Sequence, residues 1–251
     1  MFLQVRQAQG VADIIGPGLA ELCSGKDRWC FKRSEFPLGQ DCNLELFTGD
    51  TEEGHETLLH STAHLMAQAV KDLFPKAKVT IGPTIENGFF YDFDVDFSFT
   101  DEILLEIEKK MKELAKSGQD IKRNELSVKD AVSLFKSMDE DYKVEIIEQI
   151  NPDDIISTYI QSDFTDLCRG PHVSNTSKIK HFKLLSTSGA YWRGDSNNEI
   201  LQRIYGTCWS NKEQLKLYLD RLEEAEKRDH RKLGKEMDLF HFREESPGSV
   251  F

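Results

Sequence analysis

The sequence predicts an α+β fold, a mixed or antiparallel sheet packed against helices. Three observations carry that expectation. Apolar residues recur at three-and-four spacing through Leu59, Ala63, Met66, Val70 and Leu73, and again through Leu104, Ile107, Met111 and Leu114, the period of helices that bury one face. Phe89, Tyr91, Phe93, Val95, Phe97 and Phe99 alternate with Asp92, Asp94, Asp96 and Ser98, the period of a strand with one face buried and one wet. From Tyr159 onward, short segments of strand character dominate.

Taken in order, residues 1–49 read as a small α/β unit. It has a strand at 3–6, a helix near 11–23 interrupted by Gly16-Pro17-Gly18, and strands near 29–32 and 43–47. Residues 48–56 form a polar linker feeding a helix that Pro75 closes. A strand follows at 79–81, and Asn87-Gly88 signals a hairpin whose two central positions take positive φ. The alternate aspartates do not form a calcium loop, because Phe97 stands where such a loop needs its turn glycine and Ile103 where it needs its bidentate glutamate. Thr100 caps a helix over 101–116, and a second helix over 127–138 turns Val128, Ala131, Val132 and Phe135 inward.

Residues 142–150 fit either a short helix or a strand entering one. Strands are expected at 160–164, 180–186, 190–193 and 203–208, with a turn at 195–198. Residues 211–234 read as a long charged helix whose thin stripe of Leu215, Leu219 and Leu222 suits a connector with neighbours on one side only. The expected organisation is therefore 1–49, 50–210, a connector helix over 211–235, and the opening of a further domain at 236–251.

Composition bounds the function. With 251 residues, 39% hydrophobic and 30% charged, the chain is long enough for one large or two small cores. No apolar run reaches the length of a membrane span, no signal-type segment opens the chain, and a cytoplasmic location is the expectation. Cysteines 23, 30, 42, 168 and 208 are odd in number and irregularly spaced, which argues against a disulfide framework. A net charge of -12 argues against binding DNA or RNA by overall attraction, so any RNA contact is local. The basic cluster 227–235 reads equally as a solvated helix end or as such a contact.

Two motifs carry candidate chemistry. His60 and His64 stack one helical turn apart at the edge of the apolar face, and Asp166-Leu-Cys-Arg-Gly-Pro-His172 places Cys168 and His172 four apart before a Gly-Pro turn. Either pair alone is readily chance and packing. Together, three imidazoles and a thiol could hold zinc or surround a hydrolytic water without it.

The set His60, His64, Cys168 and His172 resembles the editing domain shared by threonyl- and alanyl-tRNA synthetases. The blocks 81–92, 166–172, 191–195 (Tyr-Trp-Arg-Gly-Asp), 201–206 and 228–234 are similar to the threonyl family in particular, over about residues 50–251. The resemblance implies a β-grasp-like unit at 1–49, an editing domain at 50–210 and the start of a truncated aminoacylation domain at 236–251. It implies hydrolysis of mischarged Ser-tRNA(Thr), with the tRNA acceptor end bearing serine as partner. This fragment is expected to be a monomer, the parent synthetase a homodimer. An alanyl-type editing hydrolase and a non-catalytic tRNA-binding module are the alternatives. Whether the chain is freestanding or part of a full synthetase is open.

In that reading His60 and His64 contact the ester and terminal ribose and position a water. Lys143, whose local sequence alone reads as an exposed lysine, assists the water or the developing oxyanion. Asp166 orients the substrate amine or neighbouring donors, and Cys168 and His172 complete the pocket wall. Tyr91 is a pocket residue, though an aromatic in an alternating strand is more often core. Gly82 and Arg169 hold phosphate or adenosine. No cofactor is required and zinc is possible. A lysine ammonium beside zinc would repel it, so a mostly zinc-free site is expected. Replacing His60 or Lys143 by alanine should cut turnover with little loss of folding.

Overall fold

The computed structural model describes residues 24–27, 30–33 and 44–237. The expected strand at 3–6 and helix near 11–23 lie outside them, as does the start of the further domain beyond 237. Strands β1 (Ser24–Asp27), β2 (Cys30–Arg33) and β3 (Leu44–Phe47) form a three-stranded antiparallel sheet in the order β2-β1-β3.

Helix α1 spans Glu52–Leu73 and begins inside the segment expected as linker. Thr51 caps it, its hydroxyl accepting from the Gly54 amide at 3.2 Å, and Glu52 and Glu53 in the first turn complement the helix dipole. Apolar spacing predicts one buried face; every residue from Thr57 to Val70 except His60 is in fact buried. Small residues such as Ser61, Ala63, Ala67 and Ala69 let neighbouring elements close in on all sides. Leu73, expected inward, is 37% exposed.

Five strands form the main sheet: β4 (Lys78–Val79), β5 (Thr84–Ile85), β6 (Gly88–Asp94), β10 (His181–Tyr191) and β11 (Ile200–Trp209), in the order β10-β11-β6-β4 with β5 beside β6. The turn before β6 lies one residue earlier than the Asn-Gly signal indicates. Ile85 pairs with Gly88, the central residues are Glu86 and Asn87, and only Asn87 takes positive φ, at 57°. The wet face of β6 is also only partly wet. Asp92 is buried because Arg203 on the neighbouring strand binds it bidentately at 2.6 and 2.8 Å.

Helix α2 (Asp101–Ser117) is capped by Thr100 and packs Leu104, Ile107, Met111 and Leu114 into the core shared with α1, as expected. A third antiparallel sheet, β7-β8-β9, joins β7 (Ile121–Ser127), β8 (Ile155–Gln161) and β9 (Phe164–Leu167). Lys122 to Glu125 are all exposed, so β7 shows no alternation to read in the sequence. The strand expected at 160–164 is a hairpin that turns at Ser162, with φ 52°. Between β7 and β8, α3 (Val128–Ser137) and α4 (Asp141–Ile147) bury Ala131, Phe135, Val144 and Ile147 against Ile156. Helix α4 resolves the ambiguity at 142–150, and the strand expected at 190–193 ends at Tyr191, where a 3-10 turn takes over.

The chain divides into two units between Ser210 and Asn211. In the second, α5 (Lys212–Lys227) is capped by Asn211 and buries none of its residues; α6 (His230–Glu236) follows after a break, so the expected single helix is two. Among the described residues no helix is long and apolar enough to cross a membrane.

Candidate active site

The four residues paired by sequence motif meet in space. His60 and His64 come from one strip of α1, and Cys168 and His172 from the loop that leaves β9. Cys168 Sγ lies 3.1 Å from His60 Nε2 and 3.2 Å from His172 Nε2, and the four ligand atoms lie within 4.8 Å of one another. The loop is held by close contacts. Gly170 takes φ 72°, and a Cβ there would sit 1.9 Å from the Tyr159 hydroxyl, whose ring packs on His172.

Ser61, between the two histidines in sequence, sets a tautomer. Its hydroxyl donates to the Thr57 carbonyl at 2.7 Å and accepts from the Val173 amide at 2.9 Å, so the contact with His172 Nδ1 at 3.2 Å is one in which the ring donates. His172 Nε2 then carries its lone pair toward Cys168. Asp166 Oδ2 lies 3.5 Å from His64 Nδ1.

Burial keeps this group neutral. It lowers His60 to about 4 and His64 to about 3, against the attraction of Asp166. It pushes the Cys168 thiol up to about 12 despite the Gly170 amide, which donates to the sulfur at 3.1 Å.

A charged group lies beside the neutral one. Lys143, on α4, is 2% exposed; its ammonium pairs with Asp166 Oδ1 and donates to the Tyr91 hydroxyl at 3.0 Å, and that hydroxyl donates to Asp166 Oδ2 at 2.7 Å. The Leu167 amide donates to Asp166 Oδ1 at 2.8 Å. Burial alone would raise the Asp166 carboxyl, but the charge of Lys143, with His64 and the Tyr91 hydroxyl, outweighs it and holds the group below its usual range. Burial, with Asp166 beside it, drives the Tyr91 phenol well above its ordinary value.

The two groups open on one cleft of about 650 Å³. His60, His64, Lys143, Asp166, Cys168, Tyr91, Gly82 and Arg169 line it. His172 does not; it is 1% exposed and stands behind Cys168, so the expected pocket wall is Cys168 alone with His172 as its backing. Asp166 has both oxygens engaged by protein donors, Lys143 and the Leu167 amide on Oδ1 and the Tyr91 hydroxyl on Oδ2. Tyr91 is at once a core aromatic, 0% exposed, and a polar member of the site. Gly82 is where backbone passes over that ring, since a Cβ would lie 2.1 Å from Tyr91 Cδ2.

Sequence reasoning missed Ser61 and the apolar lining that Ile146, Ile150, Ile155 and Ile156 give the cleft. Ser61 offers no signal beyond its place inside the His-x-x-x-His motif, and the isoleucines come from a helix, a loop and a strand that only the fold brings together.

The donor set fits zinc. Ligands of a tetrahedral zinc stand roughly 3.4–3.7 Å apart, close to the separations here, and His172 already presents a bare nitrogen fixed by a partner on the other. The expected repulsion from Lys143 is largely removed, because Asp166 neutralises that ammonium at contact distance.

Residues 156–205 match the family described as the threonyl and alanyl tRNA synthetase second additional domain. Proteins named threonine–tRNA ligase from Saccharophagus degradans and Teredinibacter turnerae are each 55% identical over 247 and 246 residues, 96% of this chain. That from Coxiella burnetii is 55% identical over 244 residues, 97% of this chain. The chain spans 38% of the length of each of these relatives.

Proposed function

The chain is a member of the threonyl-tRNA synthetase family by sequence, and on that premise we propose that its cleft hydrolyses the ester of a mischarged aminoacyl-tRNA, Ser-tRNA(Thr). The observation that carries the reading is one cleft on which neutral imidazoles and a buried Lys143–Tyr91–Asp166 group converge. Serine and threonine differ by one methyl, which supplies only about 1–3 kcal/mol of discrimination in a binding pocket, so a second, hydrolytic site raises fidelity.

In this mechanism water attacks the ester carbonyl, the acyl–oxygen bond to the terminal ribose breaks, one proton of the water passes to the departing ribose oxygen, and serine and tRNA leave. His60 and His64 are neutral near pH 7 and, with their depressed basicity, are poor proton acceptors; they hold the water and the ribose hydroxyls by hydrogen bonds. Two Lys143 N–H groups are engaged by Asp166 and Tyr91, and the third stabilises the developing oxyanion. Exposed Arg169 offers a charge to the terminal phosphate, and the isoleucine lining of the cleft accepts the adenine face. Zinc, if held by His60, His64, Cys168 and His172, would supply a Lewis acid, but four protein ligands close the shell as in structural sites.

Single-turnover deacylation of Ser-tRNA(Thr), Thr-tRNA(Thr) and Ser-tRNA(Ala), each with and without chelator, tests the reading. The expected result is fast release from Ser-tRNA(Thr) alone, unchanged by chelator. Equal rates on Ser-tRNA(Thr) and Thr-tRNA(Thr) would sink it; preference for Ser-tRNA(Ala) would favour the alanyl-type alternative.

A further inference from the structure

The Tyr191-Trp-Arg-Gly-Asp195 motif lies outside the cleft, and the mechanism above does not use it. It forms the corner between β10 and β11, folded on itself. Trp192 donates its amide to the Glu199 carbonyl at 3.0 Å, Asp195 accepts from the backbone and side chain of Asn197 at 2.9 and 2.8 Å, and Asn198 donates to the Trp192 carbonyl at 3.0 Å. Arg193 and Gly194 both take left-handed φ, 56° and 71°. A non-glycine residue held there signals that the surroundings fix its direction.

That direction is toward α4. The Trp192 indole donates to Glu145 Oε2 at 3.1 Å, and the Arg193 guanidinium pairs with Glu145 Oε1 at 3.0 Å while lying 5.4 Å from the Trp192 ring centre. Tyr142 packs edge-on against Trp192 and donates to carboxylates of Glu199 and Asp94. Both Tyr142 and Glu145 flank Lys143 on a helix of seven residues whose N-cap, Glu140, supplies no side-chain cap bond. So short a helix has little stability of its own.

Resting on the deacylase reading above, we propose that Glu145, gripped by Trp192 and Arg193, is a positioning residue that fixes helix α4 and thereby aims the Lys143 ammonium at the reacting ester. On this same helix Ile146, which lines the cleft, packs against the cluster of Tyr142, Trp192 and Leu201, and a displacement near 1 Å of a catalytic group is enough to cost on the order of a hundredfold. Glu145 has a side chain 47% exposed, so replacing it leaves the core intact.

The test uses the full chain with Glu145→Ala and Glu145→Gln, each alone and combined with Lys143→Ala. Glu145→Ala is expected to lower kcat on Ser-tRNA(Thr) on the order of tenfold with KM within about twofold, and Glu145→Gln, which keeps an acceptor for Trp192, to recover most of it. In the Lys143→Ala background Glu145→Ala should cost nothing further. Equal losses in both backgrounds would overturn the proposal. Amide exchange reads the helix without substrate: Glu145→Ala should speed exchange across residues 142–147 alone, and unchanged exchange there also overturns it. A wild-type chain inactive on Ser-tRNA(Thr) refutes the deacylase reading, and exchange then decides the grip by itself.

Discussion

The cleft has two walls built in different ways. The neutral wall, His60, His64 and Cys168 with His172 behind, stands largely on α1, a helix buried on nearly every side. The charged wall, Lys143 with Asp166 and Tyr91, stands on a seven-residue helix and the strands beside it. Neutral groups can be packed like core, and one hydrogen bond each is enough to orient them. A buried charge cannot be left to packing; it must meet an opposite charge and several donors, or it loses its proton balance. The two walls should therefore fail differently when their parts are removed.

The largest failure is expected at Lys143. Lys143→Ala should lower deacylation a hundredfold or more and, contrary to the reading of the sequence alone, should also destabilise the fold by roughly 3–5 kcal/mol, because Asp166 is left buried and unpaired. Adding Asp166→Asn should restore part of the stability and none of the rate; urea unfolding beside single-turnover kinetics measures both. Recovery of the rate would place the chemistry elsewhere.

Within the neutral wall, His60 and His172 should separate. His60→Ala, at the more open position, is expected to cost on the order of a hundredfold in rate with a melting temperature near wild type. His172→Ala, behind the sulfur and packed on Tyr159, should cost mainly stability. The reverse pattern would merge the two roles.

A third contrast is electrostatic and leaves the rate aside. As pH falls through 6.5 the unfolded chain protonates its histidines, while folded His60 and His64 resist until about 4 and about 3. Stability is thus whole above pH 6.5 and is lost below it, at about 1.4 kcal/mol per pH unit for each histidine. Denaturant titrations from pH 7.5 to 5 in the presence of chelator should show this slope, and His64→Gln should reduce it. A flat profile would mean that these rings are protonated in the folded chain.

Much of the neutral wall was legible in sequence because both of its motifs are local: a four-residue spacing on one helix and a four-residue spacing in one loop. The charged wall was not. Lys143 has no local mark, and only likeness to a family pointed to it; its partners Tyr91 and Asp166 are 52 and 23 positions away, and no periodicity connects them. The same reason explains Asp92, read as wet from alternation but buried because Arg203 on another strand pairs with it. The α+β class and the cap Thr100 were readable since they depend on neighbours in sequence. Strand β7, lacking alternation, was not.

Asp166 has a consequence for how the site meets a visitor. In water the shell around a carboxylate swings whenever a nearby charge changes, and that swing is part of the work of reaching a transition state. Here the shell is an ammonium, a phenol, an imidazole and an amide, each tethered to the fold. The field in the cleft is therefore already in place before any ligand arrives, and little of it needs to relax as charge moves. A field that cannot turn also cannot follow, so under the proposed deacylase reading an ester held a fraction of an ångström out of place by one extra methyl would find the same charges aimed at empty space.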